Sequence, residues 1–78
     1  MNNPTLSKEQ IEVLSEYLDL LKNGYVNRFA TYNDSFWFIK VKHLVNGREL
    51  TIRWNHELAG IWEGRRIVKQ IYPQPSMR

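Results

Sequence analysis

Cysteine is absent from this chain. That removes disulfides, thiolate nucleophiles and cysteine-ligated metal centres together. Glycine is scarce, with four residues, and they form no phosphate-cradling loop. Gly60 and Gly64 are too sparse for a nucleotide fingerprint, and no Gly-x-Ser-x-Gly elbow appears. No cofactor is expected. Long apolar runs are also missing: the longest are a few residues, against the roughly 20 that span a bilayer, so no membrane partner is predicted. Met1-Asn2-Asn3-Pro4-Thr5 has neither a basic n-region nor an apolar h-region, and a cytoplasmic protein without a signal peptide is expected.

The catalytic inventory is thin. Of the two histidines, His43 and His56, the second sits in Asn55-His56-Glu57, which brings a His-Asn-His nuclease or a metal site to mind. The spacing lacks the helical i, i+4 ligand pair, and no third ligand is evident. A histidine near a strand end is more often packed or solvated. Ser7, Ser15, Ser35 and Ser76 have no recognisable base nearby in sequence. The chain reads as a binding module and not an enzyme.

At 78 residues the chain has room for one domain, 1–78, with an ordered core over about 6–72 between flexible termini. A core this small is marginal. Three Trp, four Tyr and three Phe compensate, because each ring buries a large area. The net charge is +3, unevenly spread. Residues 1–24 hold Lys8 and Lys22 against Glu9, Glu12, Glu16 and Asp19, whereas 25–78 hold nine Lys or Arg against Asp34, Glu49, Glu57 and Glu63. An acidic start and a basic remainder suggest contact with a polyanion.

Ser7-Lys8-Glu9-Gln10 is a capping box, with Leu6 and Ile11 placed as a hydrophobic staple. Ile11, Leu14, Leu18 and Leu21 then recur at helical spacing, widened by Val13, Tyr17 and Leu20, and Glu9, Glu12 and Glu16 are expected to face outward. Asn23-Gly24 supplies the stop, giving a helix over 8–22. Tyr25–Tyr32 reads as a first strand, turning at Asn33-Asp34-Ser35. Its register is open, and with it whether Phe29 is core or surface.

Asn46-Gly47 between two β-branched-rich runs predicts a hairpin with a two-residue type I′ turn. Counting from that turn places Trp37, Ile39, Val41, His43 and Val45 on one face with Arg48, Leu50, Ile52, Trp54 and His56. The other face carries Phe36, Phe38, Lys40, Lys42 and Leu44 with Glu49, Thr51, Arg53 and Asn55. In this register Lys40 faces Arg53, a like-charge conflict.

After Asn55, Leu58, Ala59, Ile61, Trp62, Arg65, Val68, Lys69, Ile71 and Tyr72 fit one helical side, although Gly60 and Gly64 oppose a helix. The alternative is a fourth strand ending near Tyr72, with a bulge at Gly64. The predicted architecture is therefore α+β: an N-terminal helix on a three-stranded antiparallel meander, then a C-terminal helix or, alternatively, a fourth strand. The helix–strand–strand–strand–helix order is shared with the double-stranded-RNA-binding domain. Leu58-Ala59-Gly60-Ile61 stands where that family has a basic run, so no family is identified.

Aromatic faces for base stacking and cations for phosphate are what a single-strand-binding sheet needs. The candidate nucleic-acid-binding residues are Phe36, Phe38, Lys40, Lys42 and Arg53, with Arg65, Arg66 and Lys69 as a second basic cluster. The alternative is a protein-interaction module, a homodimer or a small regulator docking on a protein partner, with Phe36, Phe38 and Leu44 as anchors. A C-terminal element covering Phe36 and Phe38 is the purely structural counterpart of both.

Overall fold

Ser7 begins the helix by the predicted exchange: its hydroxyl accepts from the Gln10 N–H at 3.1 Å, and its own N–H donates to the Gln10 side-chain oxygen at 2.9 Å. In the computed structural model, which describes residues 5–73, this cap opens α1 (Lys8–Lys22). Five strands follow: β1 (Tyr25–Tyr32), β2 (Phe36–His43), β3 (Glu49–Asn55), β4 (Ala59–Glu63) and β5 (Arg66–Tyr72). They form one antiparallel sheet in the order β1-β2-β3-β4-β5, and α1 packs on one face of it. The flexible termini expected beyond 6–72 fall mostly on residues 1–4 and 74–78, which lie outside the described residues.

The predicted C-terminal helix is not present; residues 59–72 form the β4–β5 hairpin. Apolar residues at 58, 59, 61 and 62 satisfy both a helical and a period-two pattern, so local spacing did not separate them. Tertiary partners do. Ala59 and Ile61 are buried in the core while Gly60 passes under β5, where a Cβ would lie 2.7 Å from the Lys69 carbonyl oxygen. Gly64, at φ +62°, forms the turn, and the irregularities fall instead at the Ala59/Gly60 and Ile61/Trp62 steps. Two strands also give β3 a second partner, which a helix would not. The order shared with the double-stranded-RNA-binding domain goes with that helix.

The core is the inner sheet face: Ile39, Val41, Leu50, Ile52, Trp54, Ala59, Ile61 and Ile71, with Tyr25, closed by Val13 and flanked by Tyr17, Leu20, Trp37 and Tyr72. The helix is turned from its expected setting. Ile11 and Leu18 are 52% and 59% exposed, whereas Glu9, Glu12 and Glu16 are half-buried. Glu16 meets Lys69 of β5 at 2.6 Å, so the sheet's edge, not hydrophobic periodicity alone, sets the helix rotation. Leu6 and Ile11 line different grooves instead of closing a staple.

The β2–β3 connection is not a two-residue type I′ turn. His43 pairs with Arg48 across a four-residue loop, its N–H donating to the Arg48 carbonyl at 2.8 Å. Only Gly47 among the loop residues has positive φ. The cause is His43 itself: its Nδ1 accepts from the N–H groups of Val45 and Asn46 at 3.1 and 3.2 Å. That leaves Nε2 to donate to the Asn23 carbonyl at 3.1 Å, tying the loop to the end of α1. His56 lies at the far end of the hairpin, edge-on to Trp54 and within 3.2 Å of the Asp34 carbonyl. Both histidines therefore serve turns.

Candidate nucleic-acid interface

The longer loop shifts the β2–β3 pairing by two residues. Phe38 now faces Arg53, Lys40 faces Thr51 and Lys42 faces Glu49. An even shift keeps every side chain on its predicted face, while the Lys40–Arg53 conflict disappears. Lys42 instead gains an acid, 4.0 Å away. Arg53 lies over Trp62 with its guanidinium carbon 5.0 Å from the ring centroid, a cation–π contact that stiffens both side chains.

Across from α1, the other sheet face is left open by the described residues. It carries Phe36, 40% exposed, with Phe38, Lys40 and Arg53. β1 joins it through an irregularity between Asn27 and Phe29. Asn33 caps the tight β1–β2 turn by accepting from the Ser35 and Phe36 N–H groups, and the register puts Phe29 beside Lys40. Phe29 is thus on the open face, its ring 6.2 Å from that of Phe38 in an edge arrangement. Arg28, the extra residue at the bulge, reaches the same face.

Two hollows divide the surface. One is a trough of about 500 Å³ whose lining includes Arg28, Phe38, Lys40, Thr51, Arg53 and Gly64. The other, about 360 Å³, lies among Phe36, Phe38, Arg53, Asn55, Leu58 and Trp62. Phe38 and Arg53 belong to both.

The proposed second basic cluster does not join this surface. Arg66 lies 3.6 Å from Glu63, and Lys69 meets Glu16 of the helix. Arg65 is exposed in the β4–β5 turn. Glu63 is also gripped by Arg48, at 3.0 and 3.1 Å. That double hydrogen bond holds the Glu63 carboxyl below its usual range and raises the Arg48 guanidinium above its own. Those cations close the edges of the fold. Among the described residues no group of three His, Asp or Glu comes together in a geometry that could hold a metal ion.

Sequence reasoning missed three members of the face. Arg28 depends on a bulge that leaves no local signature, Phe29 on a register that was undecided, and Trp62 on a strand read as helix. Comparison with family models, curated proteins and solved structures found no match. No helix among the described residues is long and apolar enough to cross a membrane.

Proposed function

We propose that this chain is a non-enzymatic module that binds single-stranded nucleic acid on the open face of its sheet. The observation that supports this reading is the interleaving there of Phe29, Phe36, Phe38 and Trp62 with Arg28, Lys40 and Arg53. Exposed rings stack on bases whatever their identity, and cations meet the backbone. A duplex, whose bases are already stacked, offers only its phosphates to such a surface.

Fluorescence anisotropy with labelled single-stranded and duplex oligonucleotides, at low and then physiological salt, tests it. The expected result is saturable binding that favours the single strand and weakens steeply with salt. Lys40→Glu combined with Arg53→Glu abolishes binding while the circular dichroism spectrum is kept. Unchanged affinity in that double variant would sink the reading.

A protein interface ranks second. Its anchors were Phe36, Phe38 and Leu44, but Leu44 sits in the β2–β3 loop, beyond the end of a strand that starts at Phe36. At roughly 3.3 Å per residue the two lie at opposite ends of the hairpin and form no single patch. Affinity for a protein through apolar contacts would persist at high salt.

A further inference from the structure

We infer that the trough is a seat for one phosphate group of the bound nucleotide. This rests on the single-strand reading above and specifies where on the open face the backbone lies. The cations lining the trough differ from those elsewhere. Lys42, Arg48, Arg66 and Lys69 are each matched with an acid. Arg28, Lys40 and Arg53 enter none of the ion pairs among the described residues. Unmatched cations converging from three adjacent strands repel one another, and an anion placed between them relieves that repulsion.

The trough is also shaped for the purpose. Its floor is β2 and β3, one wall is the β1 bulge at Arg28, and the other includes Gly64 of the β4–β5 turn. Bulges re-aim side chains at functional surfaces, and here the extra residue is the arginine. Thr51 stands opposite Lys40 in register and adds a hydroxyl donor. The acid at its edge, Glu49, is 70% exposed and lies 4.0 Å from Lys42, which partly offsets its repulsion of an anion. At about 500 Å³ the trough admits a phosphate group with its hydration and leaves the nucleoside outside it.

Arg53 couples the seat to the aromatic shelf. It lines both hollows and lies across Trp62. A phosphate held by Arg28, Lys40 and Arg53 therefore brings its nucleoside beside Phe38 and Trp62. Arg28 and Lys40 line only the trough and Phe36 only the second hollow, which makes the assignment testable.

The probe is a labelled oligothymidylate of about 12 nucleotides, with and without a 5′-phosphate, titrated by anisotropy across a salt series. Arg28→Gln and Lys40→Gln, both at exposed positions, are each expected to weaken binding severalfold. Each should flatten the slope of log affinity against log salt by up to about 0.7, the value for the loss of one phosphate contact on a single strand. Phe36→Leu, at a residue that lines only the second hollow, is expected to weaken binding on the order of tenfold with the slope unchanged. A 5′-phosphate gain in the intact chain that Arg28→Gln abolishes places a terminal monoester in the seat. Equal affinity for both probes, with flattened slopes, places an internal diester there. Slopes unchanged in both glutamine variants overturn the phosphate seat and leave the single-strand reading standing. No binding by the intact chain even at low salt overturns the reading and the seat with it.

Discussion

The two faces of this sheet are made from the same strands and obey opposite rules. On the face under α1, Ile52 and Val13 are fully buried and Val41 nearly so. Among the described residues no buried side-chain nitrogen or oxygen lacks a partner. On the other face, exposed Phe29 and Phe36 stand with exposed Arg28, Lys40 and Arg53, and Phe38 and Trp62 are half-buried among them. Phe29 is 52% exposed there and Phe36 40%. On the proposed reading, the pleat separates stability from recognition: alternate residues of one strand serve different ends. The contrast also shows how little scaffold is required, since a single helix covers one face and leaves the other free.

If the separation is real, substitutions on the covered face should cost stability and those on the open face should not. The largest effect is expected from Ile52→Ala. It leaves a cavity in the centre of the core, and urea unfolding should show a loss of about 2–5 kcal/mol. Gly60→Ala sharpens the comparison, because Gly60 has the open face's parity yet lies beneath β5. Its new Cβ would press on the Lys69 carbonyl and on Ile67, a backbone contact that does not yield cheaply. A loss of roughly 1–3 kcal/mol is expected. Wild-type stability in this variant would mean that β5 lies further from β4.

Ser7→Ala should cost about 1 kcal/mol by removing the cap, without altering binding, because the helix is on the other side of the sheet. Lys40→Gln should change stability by under about 0.5 kcal/mol while weakening binding. A large stability loss from Lys40→Gln would break the division of labour. The smallest effect concerns pH. The folded-state value of Glu63 is depressed by Arg48, so its contribution is present above its unfolded value, near 4.5, and is lost as pH falls through the lower folded value. Acid titration of the unfolding midpoint should show a slight extra loss in that interval, absent from Glu63→Gln. An equal pH response in both would remove Glu63 from the acid-sensitive groups.

The open face was partly legible in the residues themselves. Phe36, Phe38, Lys40 and Arg53 were placed together although the predicted register was off by two, because facing depends only on parity. Their pairing was not legible: His43 stabilises a longer loop through side-chain bonds that Asn46-Gly47 does not announce. Arg28 and Trp62 were out of reach for a related reason. A bulge and a strand partner are set by what lies across the sheet, not by neighbours in the chain.

The sequence by itself determined the helix, its first turn and its last. Ser7, Gln10, Asn23 and Gly24 act within a few residues of one another, so their hydrogen bonds are written into local spacing. It also determined which residues of β2 and β3 share a face. Tertiary structure decided the β4–β5 hairpin, the rotation of α1 and the bulge at Arg28. Each of these depends on distant partners: Lys69 for Glu16, β5 for Gly60, β2 for Arg28. A choice between two locally acceptable conformations is made by whichever brings more apolar surface and backbone polar groups together at long range, and no window along the chain contains both halves of that comparison.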